Sequence, residues 1–302
     1  MANDDRGFSR RISVIGLGII GGSVARHLVD AGWDVGGHDL SEKAKAEASS
    51  NGVTILNTPA ALAAHSDLVL TSLPSAKAAV AVFDTLLEHA TGPMIVAELS
   101  TLALEDKFAL RDRVCGTQCA ILDCPISGTG AQAASRDIAI YASGESAAID
   151  RMEPAFDAIS RKLIRMGEFG QGSKMKLVAN LLVAIHNVAS AEAMALGQAA
   201  GLEPNAIIEA VQAGAGNSRI FELRAPMMAE RVYEPATMKL DVWDKDMQAI
   251  AAFAAELGSA VPLLDASLPL YDAATQRHPQ SDTAAVFEAL RALTNSDLGA
   301  GS

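Results

Sequence analysis

The sequence predicts an α/β N-terminal domain, doubly wound around a mainly parallel sheet, followed by an all-α domain that a long interdomain helix joins to it. Three observations carry this expectation. From Arg11 to about Gly167, short β-rich runs alternate with longer helical patterns, as in a parallel sheet covered by helices on both faces. After Gly172 the strand signals stop, and every later periodic segment has helical spacing. The chain has 302 residues, of which 50% are hydrophobic and 20% charged, enough for two domains with a core each. The division is expected at 170/171, giving domains 1–170 and 171–302.

In chain order, the strand-like runs are RISVIG, DLVLTSL, MIVAEL, AILDCPI, IAIYAS and KLIRMG, with weaker ones around WDVGGHD and VTIL. The first runs into the turn Gly16-Leu17-Gly18-Ile19-Ile20-Gly21 and then the helical pattern SVARHLVDAG. A lone G-x-G-x-x-G is weak evidence, but here a strand precedes it, a helix follows, and a second short strand ends at Asp39. Gly16 allows the tight turn, Gly18 lets backbone N–H groups approach a pyrophosphate, and Gly21 lets the helix pack on the strand. The anion would sit at the positive end of that helix. This is the Rossmann pattern.

Asp39 stands where an acid hydrogen-bonds an adenosine ribose hydroxyl and repels a phosphate there, which favours NAD over NADP. A second reading makes it a cap for the helix SEKAKAE, for which both Asp39 and Ser41 are suited.

The long helix is expected from Ser173, as N-cap, through Ala200 to a stop at Gly201. Further helices are expected over 204–213, 218–230, 246–257, 262–274 and 282–294. The opening stretch GQGSKMKLVAN carries two lysines, Lys174 and Lys176. Only Lys176 pairs with Asn180 at i and i+4 on one helix face, and Lys174 is expected in solvent.

The formal net charge of −12 and the lack of any basic run argue against a nucleic-acid binder. The start MANDDRGFSRR has acids where a signal peptide is positive, and no run of 18 apolar residues occurs. No membrane span and a cytoplasmic location are therefore expected. Cys115, Cys119 and Cys124 are odd in number and form no Cys-x-x-Cys pair. Three thiols can in principle ligate a metal, but no histidine lies at ligand spacing, so buried or inert thiols and no metal are expected.

Four segments in order resemble the β-hydroxyacid dehydrogenases of the 3-hydroxyisobutyrate dehydrogenase type, over Ile12 to about Leu290. They are VIGLGIIGGSVARHL, LDCPISGTGAQAA at 122–134, Gly170-x-Gly172-x-x-x-Lys176-x-x-x-Asn180, and Trp243-Asp244-Lys245-Asp246. Where the family usually has Met, this chain has Ile20, and Thr129 replaces its usual second glycine. The resemblance implies oxidation of a small 3-hydroxy acid with NAD, reversible as reduction of the matching semialdehyde or oxo acid, in the cleft between the two domains. It implies Lys176 as proton acceptor and donor, assisted by Asn180, and cofactor-lining positions at Leu73, Pro74 and Thr101. Lys245 would reach the nicotinamide or substrate; otherwise it is an ordinary charge at a helix start. Ser127, Gly128 and Thr129 would cradle the substrate carboxylate; composition alone equally gives a plain strand-to-helix turn.

The chemistry needs such a lysine. Unperturbed, it titrates near ~10.4, and enzymes bring a catalytic lysine towards ~7–8 by burial and neighbours. Asn180 can hold the substrate hydroxyl or carboxylate without neutralising that lysine. The related 6-phosphogluconate dehydrogenases carry a glutamate seven residues after the lysine, where this chain has Val183, and imine reductases usually lack the lysine. A non-catalytic dinucleotide-binding module would be expected to lose the lysine or the substrate loop, and both remain. AGAGNSRIFELRAPMM, at 213–228, looks closest to members acting on polyhydroxylated acids such as threonate. Asn217 and Arg219 could contact such a substrate, or Arg219 could cap a helix or pair with Glu222. The resemblance and the apolar helices together imply a homodimer or homotetramer.

Overall fold

The structure, a computed structural model, describes residues 10–299. The chain divides into two compact units, Met1–Lys176 and Leu177–Ser302, with the division inside the long helix.

The first unit begins with β1 (Arg11–Ile15), α1 (Ile19–Asp30), β2 (Asp34–His38), α2 (Glu42–Ser50), β3 (Thr54–Ile55) and α3 (Pro59–His65). It continues with β4 (Leu68–Thr71), α4 (Ala76–His89), β5 (Met94–Glu98), α5 (Leu104–Val114) and β6 (Cys119–Asp123). After these come β7 (Ile126–Ser127), α6 (Gly130–Ala134), β8 (Ala139–Ser143), α7 (Ser146–Ile159) and β9 (Lys162–Gly167). Among the described residues these strands form one sheet in the order β3-β2-β1-β4-β5-β6-β8-β7, with β9 on β8. Strands β3 to β6 in that order are parallel, as expected from the strand–helix alternation. Alternation along the strands feeds two cores. Ile12, Val14, Leu68 and Leu70 pack with Phe156 on one face, and Ile15 and Val69 pack with Phe83 and Leu110 on the other.

The run AILDCPI, expected as one strand, breaks. Pro125 cannot donate to a ladder, and the chain turns there so that β7 pairs antiparallel with β8.

The second unit takes most of α8 (Gln171–Ala199), then α9 (Pro204–Ala213), α10 (Arg219–Glu230), α11 (Leu240–Glu256), α12 (Pro262–Arg277), a 3-10 turn at Thr283–Ala285 and α13 (Val286–Gly299). Its core gathers Phe221, Trp243, Met247, Ile250, Tyr271 and Phe287. By length and composition α8 is long and apolar enough to cross a membrane. Its Ala184, Val188, Ala191 and Met194 are instead buried in this core.

In the second unit, two helix starts lie well away from expectation. Helix α11 begins at Leu240 rather than 246, because Leu240 N–H donates to Ser281 O and Asp241 N–H to Pro279 O, contacts from forty residues away in sequence that local pattern does not record. Over 282–294, Asp282 accepts from Ala284 N–H and caps the 3-10 turn, so the α-helix starts only at Val286.

Candidate active site

The glycine turn follows β1 at the C-terminal edge of the sheet, the edge where open α/β sheets bind ligands. Gly16 has φ +88°, and a Cβ there would lie 2.0 Å from Ser72 O. A Cβ on Gly21 would lie 1.8 Å from Gly16 O, so α1 can approach β1 only with glycine at this position. A Cβ on Gly18 would meet nothing within 4 Å. Gly18 is also the N-cap of α1, with no side-chain cap on the helix N–H groups. An open glycine at an uncapped helix N-terminus fits a dinucleotide pyrophosphate. Beside it lies a cleft of about 390 Å³ lined by Leu17, Gly18, Ile19, Ser41 and Ala44 among others. Ile19 is 78% exposed there, while Leu17 is buried and Ile20 packs partly into the core.

Asp39 accepts from Leu17 N–H at 2.7 Å through one oxygen and from Ser41 N–H at 2.7 Å through the other. The cap of α2 is Ser41, whose hydroxyl accepts from Ala44 N–H. Asp39 therefore ties the glycine turn to the start of α2 and is not the cap. The Leu17 N–H is spent on this tie, so that amide is not the one offered to a phosphate. Each carboxylate oxygen keeps a second lone pair for a ribose hydroxyl.

Leu73 and Pro74 follow β4 and Thr101 follows β5, at the same sheet edge. Leu73 N–H donates to Ser100 Oγ at 2.7 Å, Pro74 is exposed and Thr101 half-buried. Gly128 has φ +147°, and a Cβ there would lie 2.6 Å from the Ile138 side chain. Thr129 is the N-cap of α6 in a full capping box with Gln132. Its N–H donates to Gln132 Oε1 at 3.0 Å. The cradle expected from Ser127, Gly128 and Thr129 is corrected on this point: the Thr129 amide is consumed by the capping box. Ser127, half-buried, and the backbone of Gly128 remain.

Helix α8 carries Lys176 and Asn180. It begins at Gln171, and Ser173 is not its N-cap. Asp123, at the end of β6, takes that place: its carboxylate accepts from Ser173 N–H at 2.8 Å and from Ser173 Oγ–H at 2.7 Å. Lys174, expected in solvent, is half-buried, as is Lys176. Burial does not separate the two lysines; only Lys176 stands i, i+4 to Asn180. In the second unit Asn180 is buried, and its Nδ2 donates to Asp246 Oδ2 at 3.3 Å. Of the pair Lys245–Asp246, it is the aspartate that joins Asn180. Lys245 is exposed and lies well inside α11, so it is no helix-start charge. Glu222 engages both Asn217, at 2.8 Å, and Arg219, at 2.8 Å, and these contacts draw its carboxyl below the ordinary glutamate range, that of Arg219 first.

Residues 11–167 match the family model described as the NAD binding domain of 6-phosphogluconate dehydrogenase, and residues 170–290 match that described as NAD-binding of NADP-dependent 3-hydroxyisobutyrate dehydrogenase. The chain belongs to the β-hydroxyacid dehydrogenase family. This dehydrogenase is 33% identical over 286 residues to the L-threonate dehydrogenase of Cupriavidus necator, covering 93% of this chain and 96% of that one. It is 25% identical over 287 residues to a probable 3-hydroxyisobutyrate dehydrogenase of Mycobacterium bovis, covering 93% and 98%. A crystal structure of a 3-hydroxyisobutyrate dehydrogenase from Salmonella typhimurium superposes with TM-score 0.82 at 28% identity, over 92% of this chain and 99% of that one. The enzyme is thus an oxidoreductase acting on the CH–OH group of a hydroxy acid with a nicotinamide dinucleotide.

Sequence reasoning missed Glu98 and Lys107, both fully buried at this sheet edge, and the capping role of Asp123. Asp123 stands inside the motif LDCPISGTG, which was its available signal. No local pattern marks a buried lysine in the charged helix α5.

Proposed function

We propose that the enzyme oxidises a short 3-hydroxy acid, with NAD preferred and Lys176 carrying the proton, and that it is built of a cofactor domain (1–170) and a helical domain (171–302). The observation that carries this reading is Lys176 and Asn180 at i, i+4 on α8, with Asn180 held by Asp246. The open backbone at Gly18, the tie from Asp39, and the loops at Leu73, Pro74 and Thr101 hold the dinucleotide, with Lys245 reaching towards it. A nicotinamide bound there would supply the acceptor for the hydride that leaves the hydroxyl-bearing carbon. Lys176 Nζ takes the hydroxyl proton in oxidation and returns it in the reverse direction. The Asn180 amide, held by Asp246, orients the substrate and, being uncharged, does not neutralise the lysine. Ser127, the Gly128 backbone and the Thr129 hydroxyl hold the substrate carboxylate.

A polyhydroxylated acid such as threonate is a second reading, and two observations favour it. The L-threonate dehydrogenases of Cupriavidus necator and Escherichia coli are 33% and 30% identical to this chain. The Asn217 side-chain oxygen Oδ1 is buried without a hydrogen-bond partner, an acceptor that an extra substrate hydroxyl would satisfy. The test is kcat/KM for threonate against 3-hydroxyisobutyrate in the wild type and in Asn217→Ala. On this reading threonate leads by at least about tenfold, and Asn217→Ala narrows the ratio. A lead for 3-hydroxyisobutyrate that Asn217→Ala does not alter returns the assignment to the simple acid.

Asp39→Asn is expected to reduce the NAD/NADP ratio of kcat/KM by about tenfold, because it removes the charge that repels a 2′-phosphate. The amide keeps one acceptor, for Leu17 or for Ser41, so the melting temperature should fall only slightly. An unchanged ratio would confine Asp39 to tying the turn.

Exposed apolar side chains on α8, namely Val178, Leu182 and Leu196, support a homodimer or homotetramer, which light scattering on the purified chain would count. Free thiols at Cys115, Cys119 and Cys124 suit a reducing compartment such as the cytoplasm.

A further inference from the structure

Three charges lie fully buried together in the first unit: Glu98 at the end of β5, Lys107 on α5 and Asp123 at the end of β6, each 0% exposed. Lys107 Nζ donates to Glu98 Oε2 and stands 3.1 Å from Asp123 Oδ1. Burial acts to lower the pKa of this lysine, but the two carboxylates outweigh burial and raise it, so the ammonium stays charged. The cluster extends in both directions. Glu98 Oε1 accepts from Ser100 N–H at 2.9 Å, and Ser100 Oγ accepts from Leu73 N–H at 2.7 Å. Asp123 accepts from both the N–H and the hydroxyl of Ser173, and Ser143 Oγ accepts from Gly172 N–H at 3.0 Å. An unbroken polar chain therefore runs from the loop after β4 to the first turn of α8.

We propose that Lys107, clamped between Glu98 and Asp123, is a positioning residue that fixes the first turn of α8, and with it Lys176, relative to the cofactor loop at Leu73. The proposal rests on the reading of Lys176 as the proton-transfer group.

Three physical points support it. The first N–H groups of a helix have no partner within the helix, and a carboxylate there both bonds them and meets the positive end of the dipole. Asp123 does this from another element, so its own placement sets that of α8, and Lys107 sets Asp123. Packing acts in the same sense. The Phe108 ring, next to Lys107 on α5, lies 6.0 Å from that of Phe169, and a Cβ on Gly170 would lie 2.9 Å from it. A Cβ on Gly172 would lie 2.3 Å from Tyr141 O, so this turn is seated directly on the sheet. Finally, well-packed apolar groups are commonly at least as stabilising as a buried ion cluster, so such a cluster is better explained by what it orients. Lys176 stands three residues after Ser173, about 4.5 Å along the axis, and a misplacement of about 1 Å at a reacting group can cost about a hundredfold in rate.

The test compares Lys107→Met, the double variant Glu98→Gln/Lys107→Met, and Ser173→Ala. Lys107→Met strands two buried carboxylates, a strongly destabilising change, whereas the double variant removes one acid with the base. The expected result for the double variant is a melting temperature recovered towards wild type and an NAD Kd within about threefold, with kcat still at least about tenfold down. Recovery of kcat to within twofold of wild type together with stability would overturn the proposal, leaving Lys107 as charge balance alone. Ser173→Ala deletes a single hydroxyl and keeps the test open should the double variant not fold. It is expected to lower kcat about fivefold or more and to speed hydrogen exchange in a peptide spanning the first turn of α8, but not in the later turns. Wild-type kcat with wild-type exchange would likewise overturn the proposal. Exchange is read without substrate. A wild-type chain inactive on every hydroxy acid would thus defeat the functional reading, while exchange in Ser173→Ala still upholds or overturns the fixing of the turn.

Discussion

Lys176→Ala is expected to lower kcat by about a thousandfold, within the range that positioned acid–base groups contribute, while NAD binds with a Kd within about twofold of wild type. Alcohol oxidation requires the hydroxyl proton to leave as the carbon gives up hydride, and without the ammonium/amine pair at Nζ that proton has no acceptor of matched basicity. Asn180 cannot substitute, since an amide neither gains nor loses a proton near neutral pH. Lys176→Arg keeps the charge but not the ability to release a proton, and should be nearly as inactive. Alanine is the strongest helix former, so the α8 backbone should tolerate the change. Circular dichroism with equilibrium NAD titration separates loss of chemistry from loss of fold. Turnover of Lys176→Ala above about a tenth of wild type would move the proton transfer to another group, with Lys174 the first to examine.

The second large effect is expected at Gly21. Alanine there places Cβ 1.8 Å from Gly16 O and 3.3 Å from Ser72 Cβ, so α1 must move off β1. Forced overpacking of this kind costs about 3 kcal/mol, or about 6–12 °C in the midpoint of a unit this size. Because the same movement displaces the α1 N-terminus, NAD affinity should fall by about a hundredfold, equivalent to about 2.7 kcal/mol. Gly18→Ala is the informative partner. A methyl at Gly18 meets no protein atom within 4 Å, and its φ of −64° suits alanine. Stability should therefore hold while NAD binding weakens. If Gly18→Ala bound NAD as wild type, the open side of the turn would not be where the pyrophosphate lies.

Local patterns recorded much of the fold. Alternating strands and helices, the spacing of Gly16, Gly18 and Gly21, and the apolar length of α8 all lie within windows of a few turns, and the structure agrees with each. What local pattern could not record were contacts between distant segments. Ser173 looks like an N-cap, yet α8 is capped by Asp123, fifty residues earlier. Lys107 looks like a solvated helix lysine beside Glu105 and Asp106, and becomes a core residue because β5 and β6 bring two carboxylates to it. Asn180 was legible as a site residue through its spacing from Lys176, but its partner Asp246 lies 66 residues away. The start of α11 depends on hydrogen bonds from Leu240 and Asp241 to Ser281 and Pro279. At Thr129 the helix-start signature Thr-x-x-Gln, running to Gln132, was also present in the sequence, and the capping box it marks takes the Thr129 amide while leaving the hydroxyl proton to donate.

The most direct measurement is the initial rate of NADH formation with 3-hydroxyisobutyrate, serine, glycerate, 3-hydroxypropionate and threonate, each run with NAD and with NADP. A saturable, NAD-linked rate with at least one of these acids, absent in Lys176→Ala, is the expected result. Clear NAD binding without turnover of any acid in the panel would contradict oxidation of a short 3-hydroxy acid as the enzyme's reaction.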